Sequence, residues 1–128
     1  MKKANRSLDV AAYSFTNSKI AQEAVNAQKR GVKVRAVLDN SNEESARSSA
    51  QFLANRGVEV RMSSKYAVMH HKFMVVDGNY VQLGSFNYSK AAAERNAENV
   101  VVLESKDVAK TFMLEFNRLW RESKAVSR

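Results

Sequence analysis

A histidine, a lysine and an aspartate stand in fixed spacing near the middle of this 128-residue chain: His70, Lys72 and Asp77, written H-x-K-x4-D. Six residues separate Asp77 from Gly84-Ser85, and Asn87 follows. Lys72 to Val76 is apolar and β-branched, the composition of a buried strand. Asp77-Gly78-Asn79 is a turn signal, and Tyr80 to Leu83 reads as the returning strand. Residues two apart on a strand share a face, so His70 and Lys72 are expected to point one way and His71 the other. The hairpin returns Ser85 and Asn87 toward the strand start. An imidazole, an ammonium, a hydroxyl and an amide converging on one spot suit an anion with several oxygens. Taken alone, a strand histidine is more often structural, and Asp at a turn is common for local reasons. His71 therefore keeps a structural reading.

On these residues the sequence resembles the phospholipase D superfamily, whose signature is H-x-K-x4-D followed by G-S-x-N. It looks most like the small bacterial endonucleases of that family, which carry one motif per chain. The flanking similarity runs from about Ala11 to Trp120. The resemblance implies an α/β fold and phosphodiester chemistry without metal. His70 attacks phosphorus and forms a phosphohistidine, and a second imidazolium protonates the leaving oxygen. Lys72, Asn87 and Ser85 contact the phosphoryl oxygens. One motif supplies one such histidine, so the resemblance implies a homodimer with an active site shared between two chains. It also implies that Glu98 hydrogen-bonds a catalytic imidazole and fixes its tautomer, with Glu94 as a decoy. Asp77 and Gly84 are read as structural members of the motif: Asp77 braces the hairpin or a neighbouring charge, and Gly84 allows close backbone approach.

The elements that must position these residues follow from patterning. Leu8 to Phe15 has strand composition. Thr16, Asn17 and Ser18 are N-cap candidates for a helix to about Arg30, with Ile20, Ala21, Ala24 and Val25 on one face. Gly31 stops it, and Val32 to Leu38 is the next strand. Ser41 and Glu44 form a capping box for a second helix with Ala46, Ala50, Leu53 and Ala54 inward. Gly57 ends that helix, and Val58 to Met62 is a strand. Arg-Gly-Val-x-Val-Arg thus occurs twice, at 30–35 and 56–61, the mark of repeated α-β winding with parallel strands. Ser89 caps a short helix through 91–93. Asn99 to Leu103 reads as a core strand. Ser105 or Asp107 starts the last helix, whose Val108, Phe112, Phe116 and Trp120 share a face. Residues 121–128 read as a polar, frayed tail. The expectation is one domain (core about 8–120), a mixed sheet with helices on both faces.

Composition narrows the partners. The chain has no Cys and two His, which removes disulfides and leaves too few ligands for an ordinary protein zinc site; no cofactor is expected. No apolar run reaches the ~20 residues of a membrane span, so no stable membrane insertion is expected. The net charge is +8, which suits a polyanion. Lys29, Arg30, Lys33, Arg35, Arg56, Arg61 and Lys65 make the region before the motif basic, either a solvated face or a groove along a nucleic-acid backbone. Three functions remain. The leading one is a non-specific, metal-independent endonuclease on single- and double-stranded DNA, with RNA as a further substrate. The others are a phospholipid phosphodiesterase of the phospholipase D type and a non-catalytic nucleic-acid-binding module. The compartment is periplasmic or secreted if a leader has been removed, and cytoplasmic otherwise.

Overall fold

We describe the computed structural model over residues 4–13, 18–39, 44–64, 71–84 and 100–127. The capping candidates Thr16, Asn17 and Ser41, the side chains of Ser18, Glu44 and Ala46, and the short helix expected at 91–93 lie outside the described residues.

The repeated Arg-Gly-Val segments set the frame. Helix α1 (Ser18–Lys29) and helix α2 (Glu44–Asn55) both end in a glycine with positive φ, Gly31 at +92° and Gly57 at +93°. In each, the valine after the glycine donates its N–H five residues back, Val32 to Ala27 and Val58 to Leu53, both at 3.1 Å. This left-handed stop satisfies the last helix carbonyls and turns the chain straight into a strand. The strands so launched are β2 (Lys33–Asp39) and β3 (Glu59–Ser63), and with β1 (Ser7–Ala12) they pair in parallel in the order β1-β2-β3.

The motif strand β4 (Lys72–Val76) runs antiparallel to β1, and β5 (Tyr80–Gly84) returns beside it. Strand β6 (Val100–Glu104) pairs antiparallel with β5, helix α3 (Lys106–Glu122) follows, and β7 (Lys124–Ala125) pairs with β3. The result is a mixed seven-stranded sheet in the order β6-β5-β4-β1-β2-β3-β7.

Strand alternation sorts the core into two layers. Leu8, Val10, Val34, Ala36, Val60 and Met74 face α1 and α2, against Ala24, Val25 and Leu53. Ala11, Val37, Phe73, Val75 and Val81 face α3, against Ala109, Phe116 and Leu119. Helices therefore cover both faces, as the sequence predicts. Ser105 caps α3, its Oγ accepting from the Val108 N–H at 3.2 Å.

Three expectations change. The segment expected as a core strand from Asn99 is instead β6, at the end of the sheet order, with Val101, Val102 and Leu103 exposed. Apolar β-branched composition identifies a strand but not how many neighbours it has. The tail expected to fray instead continues α3 to Glu122 and then adds β7; Arg61 and Met62 pair with Ala125 and Lys124, and Val126 donates to the Val60 carbonyl at 2.9 Å, which orders the chain end.

The basic region before the motif is not one groove. Lys33 and Glu59 open their strands, so Lys29, Arg30, Lys33 and Arg56 lie at the end of the sheet where β2 and β3 begin. Arg30 donates to the Ala4 carbonyl at 3.1 Å, and Arg56 lies 3.8 Å over the Phe52 ring. Arg35 and Arg61 are packed under α3. Arg35 pairs with the buried Asp9 at 2.7 Å and lies 5.0 Å from the Phe116 ring centroid, and Arg61 sits 4.2 Å from that of Trp120. Burial pushes the Asp9 carboxyl up, and the Arg35 hydrogen bond and charge offset only part of it. Lys65 lies outside the described residues.

Candidate active site

The two ends of the sheet divide the motif. Because β1, β2 and β3 are parallel and β4 and β6 run against β1 and β5, one edge collects Ala12, Asp39, Ser63, Lys72, Gly84 and Val100. This is the carboxyl end of the parallel strands, where open α/β sheets bind ligands. Lys72 pairs with Ala12, placing it on the sheet face of Val10 and Met74. His71 lies on the opposite face, where its Nε2 meets Glu115 Oε2 of α3 at 2.8 Å. The alternation expected from sequence therefore holds for these two residues.

Lys72 is half-buried, with its Nζ 5.7 Å from the centroid of the exposed Tyr13 ring. An ammonium beside an aromatic face is attracted by the ring quadrupole. Gly84 ends β5 on the same edge. Continuing the β4–β5 register two pairs past Met74 and Gln82 sets it opposite Lys72, and its φ of +142° is one that L side chains rarely adopt. A side chain there would add strain. Strand β5 ends on this edge at Gly84, and β6 begins on it at Val100. His70, Ser85, Asn87 and Glu98 themselves lie outside the described residues, as does Glu94.

Asp77 stands at the other end of β4, about 17 Å away at ~3.4 Å per residue. Its carboxylate accepts from the backbone N–H groups of Asn5 (3.0 Å), Arg6 (2.7 Å) and Ser7 (3.1 Å). Its own N–H donates to the Ser7 carbonyl at 2.8 Å. Desolvation opposes the charged form. The hydrogen bonds from Arg6, Ser7 and Asn5, with the Arg6 charge, outweigh it and hold the carboxyl below the usual aspartate value. Asp77 thus ties the start of β1 to the end of β4, beyond the hairpin that the sequence suggested it braces.

Sequence reasoning missed Tyr13 and the partners of His71. Tyr13 read simply as part of the first strand, and only the β1–β4 pairing, which no local pattern encodes, sets it beside Lys72 and His71.

A family model described as cardiolipin synthase, PLD-like domain, matches residues 1–120. The chain belongs to the phospholipase D superfamily. It is 36% identical over 120 residues to the mitochondrial cardiolipin hydrolase of Xenopus tropicalis, covering 94% of this chain and 57% of that one. It is 36% identical over 111 residues to a phospholipase D of Rickettsia conorii, covering 87% of this chain and 56% of that one. The chain thus spans little more than half the length of these curated relatives. Among solved structures, the phospholipase D family member Nuc from Salmonella typhimurium superposes with a TM-score of 0.96 at 32% identity, covering 99% of this chain and 86% of that one. The phospholipase D fold accounts for the mixed sheet and for the motif strand inside it, between β5 and β1.

Proposed function

We propose that this phospholipase D superfamily member is a phosphodiesterase, and specifically a metal-independent endonuclease on DNA, with RNA as a further substrate. The observation that carries the proposal is the convergence on one sheet edge of the strand ends leading to His70, Ser85 and Glu98, beside Lys72. Neutral His70 attacks phosphorus, and the P–O bond to the leaving oxygen breaks as a second imidazolium gives that oxygen its proton. Water then attacks the phosphohistidine, loses a proton to the now neutral second imidazole, and releases His70. Lys72, Asn87 and Ser85 hold the non-bridging oxygens as charge builds on them. Glu98 orients an imidazole.

The second histidine comes from a second copy of the chain. An edge strand with apolar side chains on both faces supports such a partner: Val102 is 65% exposed on one face and Val101 44% on the other. The net charge of +8 supports a nucleic-acid substrate, as does the resemblance to the small single-motif endonucleases. One observation favours a second reading, a phospholipid phosphodiesterase: the curated relatives are named cardiolipin hydrolase and phospholipase D. Among the described residues no helix is long and apolar enough to cross a membrane.

The test is cleavage of plasmid and single-stranded DNA in excess EDTA, with cardiolipin vesicles assayed in parallel. The expected result is DNA cleavage that survives EDTA and falls at least about 10³-fold in His70→Ala. Lipid turnover without DNA cleavage would transfer the same chemistry to the second reading. Loss of all activity in EDTA would sink the metal-free scheme.

A further inference from the structure

His71 stands between the two motif residues that carry the chemistry, and it is held from three sides. Its Nε2 meets Glu115 Oε2 at 2.8 Å. Its carbonyl accepts the Tyr13 N–H at 2.9 Å, extending the β1–β4 ladder one pair past Lys72. Its ring meets the edge of Phe73 at 5.5 Å, and Phe73 in turn meets Phe112 of α3 at 5.1 Å. Glu115 is itself fixed. Arg118 grips both its oxygens, Nε to Oε1 at 2.8 Å and Nη2 to Oε2 at 2.7 Å, and reaches Glu122 at 3.2 Å. The Arg118 hydrogen bond is the main reason that the Glu115 carboxyl stays below its ordinary range; the His71 bond adds to it against desolvation. The carboxylate is therefore a charged, oriented acceptor at neutral pH.

The bland account of this cluster is surface decoration on a helix, since all three side chains are partly exposed and exposed ion pairs contribute little to stability. Two features argue for more. The Arg118–Glu115 fork is bidentate, a geometry that fixes direction as well as distance. The residue it holds, moreover, is covalently joined to both His70 and Lys72. Rotating or shifting the backbone at His71 moves both neighbours together. A misplacement of about 1 Å is enough to cost ~10²-fold in rate where a nucleophile must meet phosphorus in line.

We infer that His71 is a positioning residue: the Arg118–Glu115–His71 relay from α3 sets the backbone to which His70 is joined and from which Lys72 projects on the opposite face of the sheet. The inference rests on the proposed role of His70 and deepens it.

The test compares kcat, KM and thermal midpoint for wild type, His71→Phe, His71→Gln, Glu115→Ala and the double variant His71→Phe/Glu115→Ala, with His70→Ala as reference. Phe keeps the ring packing and removes the hydrogen bond; Gln restores a nitrogen at similar reach. The expected result at a temperature well below every midpoint is kcat lowered about 10-fold or more in His71→Phe, with KM within about 2-fold. His71→Gln recovers most of the loss, and the double variant is no worse than the poorer single one. A kcat of His71→Phe within 2-fold of wild type, with His70→Ala inactive, overturns the positioning role and leaves the active site standing. A His70→Ala variant that remains active overturns the site reading and the positioning role with it. Additive losses, or a His71→Gln no better than His71→Phe, would also overturn it, because the relay would not act as one unit.

Discussion

Lys72 and Asp77 bound the same short strand, and the molecule treats its two ends in opposite ways. At Asp77 nearly every polar atom is spoken for. One carboxylate collects three backbone N–H groups, and the residue itself takes a positive φ of 57°. The turn closes through Asn79 N–H to the Val76 carbonyl at 3.0 Å, and its carbonyl receives the Ser105 N–H at 2.8 Å. At Lys72 the described surroundings include the exposed Tyr13 ring, whose centroid lies 5.7 Å from Nζ, and the exposed His71 next in the chain. The difference gives the x4 spacing a mechanical meaning. An anchor at one end fixes the register of β4 against β1, and that register sets where the other end projects. A slip of one residue would turn Lys72 to the α3 face.

The strongest way to break this comparison is to cut each end separately. Lys72→Met should lower cleavage about 10²–10³-fold, the scale for losing a cation from developing phosphoryl charge, while the thermal midpoint moves little. Asp77→Ala should do the reverse. It removes an acceptor from three backbone donors that water can partly reach, a loss of about 1–2 kcal/mol, and activity per folded molecule should stay within a few-fold of wild type. Steady-state kinetics beside thermal melts decide it. An Asp77→Ala protein as stable as wild type but as inactive as Lys72→Met would mean that both ends meet substrate.

Acid sharpens the same contrast. The Asp77 pKa lies below the ordinary aspartate value of 3.8, so the native state holds this carboxylate charged where the unfolded chain has begun to protonate it. The resulting stabilisation is complete above the unfolded value and disappears as pH falls through the native one. Asp9 runs the other way. Its raised native pKa favours the protonated form, so its contribution is full below 3.8 and lost as pH rises through the native value. The midpoint gap between wild type and Asp77→Asn should therefore be widest near pH 6 and close below pH 3.8. A gap that does not narrow as the pH falls below 3.8 would assign the anchor to shape and not to charge.

What the sequence made legible was local. The x4 spacing, the Asp-Gly-Asn turn and the two Arg-Gly-Val stops are short-range devices, and each is found where its residues stand. What escaped depends on partners distant in sequence. Val100–Glu104 has the composition of a central strand, and only the sheet order makes it an edge. Lys124 and Ala125 have no strand signal of their own; they pair because β3 leaves a free edge at Arg61 and Met62. Of the site, Lys72 and the opposite facing of His71 followed from alternation. The Glu115–His71 contact did not, because it joins residues 44 apart through an α3 docking that no motif announces.

The basic residues give the mildest test, because charge alone cannot tell a groove from a packing device. Arg61 was one of seven cations counted toward a backbone-tracking groove, yet its guanidinium lies over Trp120 and Nη1 donates to the Trp120 carbonyl at 2.6 Å. A groove cation needs charge, whereas a stacked one needs the planar fork. Arg61→Lys keeps the first and loses the second. It should cost about 1 kcal/mol of stability and leave the slope of log activity against log salt where it was. If cleavage is governed instead by phosphate neutralisation at Arg61, stability should hold in Arg61→Ala while the slope falls by nearly one unit. The arrangement under α3 favours the first outcome, because the guanidinium is committed to the indole ring and the Trp120 carbonyl.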